Sequence, residues 1–191
     1  MTKQANTEKN AIIYARQSYG AEVNALSVEQ QIERCKAWAT RNGITVEAVY
    51  FDNNTSSELY PDSEKGHAYC ATDRGWQRWY SAERSFKGRK KYRKGLAQAF
   101  EHLESHHVEF FIVDENTRLY RNPSATAQLD TFCIVTLQEA KTALVNVTTN
   151  TIDRLENNVN IAIWRALATY EMEKVNVWRY FIEVLEVENQ R

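Results

Sequence analysis

Ala11-Ile12-Ile13-Tyr14-Ala15-Arg16-Gln17-Ser18 is the stretch that decides how this chain is read. The apolar run Ala11-Ile12-Ile13 predicts a buried strand. Side chains alternate faces along an extended chain, so Tyr14, Arg16 and Ser18 share one face. A hydroxyl then stands beside a guanidinium where a strand leaves its sheet. A serine nucleophile attacking a phosphate needs such an arginine to bind the oxygens and stabilise developing charge.

Working outward, the 191 residues suit one domain with an ample core. Fractions of 43% apolar and 26% charged residues are those of a soluble globular protein. No apolar run approaches the roughly 18 residues that span a membrane. Met1 to Asn10 is polar, without the apolar centre of a secretory signal, so a cytoplasmic protein is expected. Cys35, Cys70 and Cys133 lack metal-ligand spacing and read as reduced thiols, with Cys35 and Cys133 packed inside. The net charge of −1 marks no global nucleic-acid field, but charge is segregated. Asp73 to Lys94 carries nine Lys or Arg against two acids, and from Glu171 onward five Glu outweigh three basic residues.

The elements follow from pattern. Ser27-Val28-Glu29-Gln30 forms a capping box, followed by Val28, Ile32, Cys35 and Ala39 at helical spacing and a stop at Gly43. Ile44 to Phe51 predicts a second strand, closed by the polar turn Asp52 to Ser57. Residues 58–91 read as irregular. A helix resumes near Tyr92, with Leu96, Ala99, Phe100 and Leu103 on one face. Val108 to Val113 predicts a third strand, Asn122-Pro123 a helix start running to about Ala140, and Ala143 to Val147 a fourth strand. The expected fold class is α/β: a four-stranded, mainly parallel sheet flanked by helices. A long C-terminal helix over about 152–188, apolar along two seams, then needs a partner and predicts a dimer.

With these elements placed, the chain resembles the catalytic domain of the serine recombinases, the resolvase/invertase family with its large integrase relatives. Tyr14-Ala15-Arg16-Gln17-Ser18 matches the family's Tyr-x-Arg-x-Ser signature. Ser27 to Gln31 resembles the start of its first helix, and Phe51 to Ser56 its Asp-containing turn. Arg93-Lys94-Gly95-Leu96 matches the arginine opening a later helix, and Arg118-Leu119-Tyr120-Arg121-Asn122 its Arg-Leu-x-Arg-Asn element. Ala168-Thr169-Tyr170-Glu171 resembles the acidic motif of its long helix.

The resemblance implies one catalytic domain over 1–191, with Ser18 as nucleophile and Arg16, Arg93, Arg118, Arg121, Gln31 and Asp52 around it. Ser18 would attack double-stranded DNA and become joined to a 5′ phosphate, freeing a 3′ hydroxyl. Homodimers would pair into a synaptic tetramer, exchange subunits and rejoin strands for site-specific recombination, in the cytoplasm of a bacterial, phage or mobile-element host. The covalent intermediate conserves bond energy, so no ATP is needed, and no cofactor or metal is expected.

Three departures stand out. Thr117 occupies a position where the family usually has an acid, and Met172 one where many resolvases have an arginine. The segment at about 58–92 is an insertion, whose Lys87, Arg89, Lys90 and Lys91 are candidates for gripping DNA. Thr117 and Met172 leave open an alternative, a catalytically impaired dimeric DNA-binding or regulatory protein. A third reading, a metal-dependent nuclease, would need carboxylates gathered around Asp52 and Asp114, whereas Asp114 and Glu115 can equally pair with nearby arginines. His102, His106 and His107 complete no metal set.

Overall fold

The computed structural model describes residues 9–18, 25–57, 59–72, 92–119 and 127–155. β1 (Asn10–Arg16) is buried from Ala11 to Arg16 and lies inside the sheet. α1 (Val28–Arg41) starts at the expected capping box. Gln30 N donates to Ser27 Oγ at 3.2 Å, and Ser27 N donates back to Gln30 Oε1 at 2.9 Å. Gly43, at φ +64, turns the chain into β2 (Thr45–Asp52). β2 runs parallel to β1, with a register shift beside Ala11 and Ile12.

α2 (Glu64–Thr72) occupies part of the stretch read as irregular. Leu59 and Tyr60 ahead of it are buried, and Pro61 bridges to Arg93. α3 (Lys94–Ser105), β3 (Phe110–Val113), the short α4 (Asn116–Leu119), α5 (Ala127–Glu139) and β4 (Ala143–Asn146) follow.

The sheet has five strands, in the order β2-β1-β3-β4-β5, against the four expected. The added strand, β5 (Thr151–Asp153), pairs antiparallel with β4. It corrects the expected start of the long helix, since Ile152 is extended. Asn150, at φ 52, reverses the chain. All three β5 residues are exposed, so no alternation of burial marks the strand in the sequence. Residues 156–188 of the proposed helix lie outside the described residues, as do Met172 and the Asn122-Pro123 start.

Both faces of the sheet are covered. Ala11, Ile13, Ile112 and Val145 pack under Cys35, Trp38 and Ala39 of α1. Ile12, Tyr14, Phe111 and Leu144 pack against Leu96, Phe100 and Leu103 of α3 and Phe132, Cys133 and Leu137 of α5. Each fully buried side chain of this size contributes about 1.5–3 kcal/mol, which explains why such short strands hold. Cys35 and Cys133 are free and buried, as expected. The chain runs from β1 outward to β2, then crosses to β3 on the other side of β1. Sheets of this kind bind ligands where the order reverses, at the carboxyl ends of the strands. Here that crevice lies between the ends of β1 and β3.

Candidate functional site

Arg16 ends β1 with only 3% of its surface exposed. Its Nη1 donates to Ser18 Oγ at 2.6 Å and to the Thr55 carbonyl at 2.6 Å. Its Nε donates to the Arg118 carbonyl at 3.1 Å and its Nη2 to the Thr117 carbonyl at 3.0 Å. One guanidinium thus joins the ends of β1, β2 and β3 and fixes the half-buried serine. Burial first, then the neighbouring charge of Arg93, pushes the Arg16 guanidinium down to about 10, so it stays charged at neutral pH.

Asp52 ends β2 and is also buried. Its Oδ1 accepts from Gly95 N at 3.0 Å, and its Oδ2 from Leu96 N at 3.0 Å and Tyr14 Oη at 2.9 Å. A carboxylate on the first amides of a helix satisfies donors that have no partner within the helix and complements its dipole. Asp52 therefore docks α3 onto the sheet. Burial is the main reason the Tyr14 hydroxyl is held protonated far above the ordinary phenol range. Arg93 precedes α3 and is fully buried. Its Nε donates to the Leu59 carbonyl at 2.6 Å and its Nη1 to the Leu119 carbonyl at 2.6 Å, while its Nη2 is buried without a hydrogen-bond partner.

Gln31 is fully buried beneath this layer. Its Oε1 accepts from Arg16 N at 3.2 Å, and its Nε2 donates to the carbonyls of Arg16 and Leu26 at 3.1 and 3.0 Å. It holds the strand end rather than facing the serine. Arg118 lies on α4, its side chain 18% exposed. Its Nη2 is 3.5 Å from Glu115 Oε2, and its Nε is buried without a hydrogen-bond partner. Thr117 Oγ1 donates to the same Glu115 oxygen at 3.1 Å.

Asp114 approaches Arg34 Nη1 at 3.1 Å, but neither of its carboxylate oxygens has a well-formed hydrogen bond. Burial outweighs the arginine and raises its carboxyl above the usual range. Asp114 and Glu115 thus each face an arginine, and Asp52 faces a helix terminus. Among the described residues no three His, Cys, Asp or Glu side chains are grouped to hold a metal. His102 bonds Tyr50 Oη through Nδ1 at 2.9 Å and lies 3.4 Å from Glu47.

A model of the resolvase N-terminal domain matches residues 62–176. The chain belongs to the resolvase family. The match covers Arg93 and Arg118 but begins after Ser18, Gln31 and Asp52, whose placement rests on the geometry above. The fold of this resolvase-family chain is similar to that of a resolvase family site-specific recombinase from Streptococcus pneumoniae, at 17% identity and a TM-score of 0.52, covering 95% of this chain and 99% of the other. It is also similar to the N-terminal catalytic domain of TP901-1 integrase, at 15% identity and a TM-score of 0.50, covering 92% and 99%. No curated protein matches the chain. Among the described residues no helix is long and apolar enough to cross a membrane.

Of the residues singled out from the sequence, Ser18, Arg16, Gln31, Arg93 and Arg118 are brought together by direct or shared hydrogen bonds, and Asp52 stands opposite Arg16 in the β1–β2 register. Arg121 and the basic set Lys87, Arg89, Lys90 and Lys91 lie outside the described residues. The carbonyls of Thr55, Leu59, Thr117 and Leu119 join the site without any forewarning in the sequence. No side-chain pattern could show them, because they act through the main chain.

Proposed function

We propose that this protein is a serine recombinase that cleaves and rejoins double-stranded DNA through a phosphoserine formed on Ser18. The observation that carries the reading is the 2.6 Å bond from Arg16 Nη1 to Ser18 Oγ at the reversal point of the sheet. A charged donor on a hydroxyl oxygen favours its alkoxide, the form that attacks phosphorus. Arg16 directs four N–H groups at its own protein, so its task is to hold the nucleophile and the three loop ends. The phosphate oxygens are left to the partly exposed Arg118 and to Arg121, with the charge of the buried Arg93 behind them. Two buried guanidiniums face one buried carboxylate here, and the surplus positive charge suits a phosphodiester.

In the proposed reaction Ser18 Oγ forms a bond to phosphorus while the bond from phosphorus to the 3′ oxygen breaks. The freed 3′ hydroxyl of an exchanged strand later attacks the phosphoserine and releases the serine. Exchange needs two cleaved duplexes, hence dimers and a synaptic tetramer, with the long C-terminal segment supplying contacts between copies and the basic segment near Lys87 gripping the backbone.

The test incubates the full chain with a pool of duplexes of randomised central sequence and resolves products under denaturing conditions. We expect a covalent protein–DNA species that maps to Ser18 and is absent from Ser18→Ala. A wild-type chain that binds the pool and forms no adduct points instead to a DNA-binding regulator.

A further inference from the structure

We propose that Glu115 is a positioning residue for Arg118, locked in place by the Thr117 hydroxyl, so that this pair replaces a carboxylate at position 117. The inference rests on the recombinase reading above. Glu115 Oε2 receives both Thr117 Oγ1 at 3.1 Å and Arg118 Nη2 at 3.5 Å. The Arg118 N–H donates to the Glu115 carbonyl at 2.9 Å, so both side chains issue from one closed turn.

The Arg118 main chain is already fixed, because its carbonyl accepts from Arg16 Nε at 3.1 Å and lies 3.5 Å from Arg93 Nη1. Only the side-chain torsions remain free. Among the described residues, the one group that bonds the Arg118 guanidinium is Glu115, since its Nε has no partner. Asp114, one residue back, lies 3.1 Å from Arg34 and makes no hydrogen bond to Arg118, although the Arg118 charge also acts on its carboxyl.

Electrostatics gives this contact its direction. Arg16 and Arg93 repel a third guanidinium, and Arg118 is close enough to Arg16 to help depress it. A carboxylate 3.5 Å from Arg118 Nη2 offsets that repulsion and restrains the side chain. Thr117 brings no charge of its own. Its hydroxyl removes the freedom of the Glu115 side chain, which is otherwise 40% exposed and costly to order. An exposed i,i+3 ion pair contributes little to stability, so the pair's value lies in geometry rather than in holding the fold.

The test uses the full chain with the same randomised duplex pool and compares Glu115→Gln, Thr117→Val, Thr117→Asp and the double variant Glu115→Gln/Thr117→Asp. We expect Glu115→Gln to slow adduct formation at least about tenfold, the scale of a displaced catalytic group. Duplex affinity should stay within about threefold, as for loss of an interaction felt mainly in the transition state. The melting temperature should move by no more than about 2 °C, as for a surface change in a chain of this size. Thr117→Val should give a smaller loss, and Thr117→Asp should restore most of the rate in the Glu115→Gln background only.

An unchanged rate in Glu115→Gln, with the wild type active, overturns the inference alone. A faster rate does so too, since it would make Glu115 a competitor of the phosphate. A slower rate that Thr117→Asp does not restore would reduce Glu115 to a structural residue. If the wild type itself forms no adduct, the recombinase reading fails. The Arg118 Nε–H resonance of the DNA-free protein then still decides the contact, which requires it to shift or broaden in Glu115→Gln and is overturned if it does neither.

Discussion

Replacing Asp52 with alanine should cost this fold more than any single change at Ser18. The carboxylate accepts three hydrogen bonds of 2.9 to 3.0 Å from Gly95 N, Leu96 N and the Tyr14 hydroxyl, in a position only 3% exposed. Hydrogen bonds to a charged group contribute about 1.5–3 kcal/mol each, though not additively, because water entering the vacated space re-solvates some donors. The deletion also removes a buried negative charge that acts on Arg16 without forming an ion pair with it. We expect Asp52→Ala to lose about 4 kcal/mol, against a total stability of about 5–15 kcal/mol for a domain. Tyr14→Phe removes only one of the three donors, and Leu96 N still serves Oδ2, so its loss should be about 1–2 kcal/mol. Urea unfolding followed by tryptophan fluorescence measures both. The double variant should fall short of the sum by about 1 kcal/mol or more, as coupled neighbours do. An Asp52→Ala loss under about 1 kcal/mol, or one no larger than that of Tyr14→Phe, would refute the argument that this carboxylate docks α3.

Two further changes test the frame. Gly95→Ala should destabilise by about 1–3 kcal/mol despite the better helix propensity of alanine, because its Cβ would collide with the Phe51 carbonyl. A raised melting temperature in that variant would show that α3 stands further from β2 than described. Asp114→Asn should be at least as stable as wild type at pH 7. The folded protein raises the Asp114 carboxyl, so its contribution is present below the unfolded value of about 4 and is lost as pH rises through the folded one. The amide removes that loss, while Arg34, its side chain 45% exposed, remains solvated and keeps its bond to Thr148 Oγ1 at 3.3 Å. The advantage should vanish near pH 4, and a clear deficit in urea midpoint at pH 7 would refute it.

Much of the frame is legible in the chain because burial and capping leave marks in side-chain type. Ala11 to Ile13 announce a central strand, Ser27 and Gln30 a helix start, and Leu96 to Leu103 a packed helix face. β5 leaves no mark, since Thr151 and Asp153 are exposed and only main-chain pairing defines the strand. The helix at Glu64–Thr72 is hidden by Pro61 and Gly66 nearby. Gly66 reads as a breaker, yet it is required, since a Cβ there would strike the Pro61 carbonyl. At the site, residue type sets the Ser18 hydroxyl beside the Arg16 guanidinium, as their 2.6 Å bond has it, but not the other groups that Arg16 touches. Arg16 reads as binding phosphate oxygens, whereas most of its donors meet carbonyls of the protein. Gln31 reads as a neighbour of the nucleophile and instead clasps the main chain of Arg16.

Arg16 addresses main-chain oxygens at positions 55, 117 and 118, and every residue type carries such an oxygen. Mutation can therefore replace the side chains at those positions without changing what Arg16 grips, provided the path of the chain persists. What descent must preserve at this corner is a course of backbone and one guanidinium, not a string of letters. A threonine at 117 is neutral to that grip, and lineages can drift far in sequence around it while the serine stays where it is held.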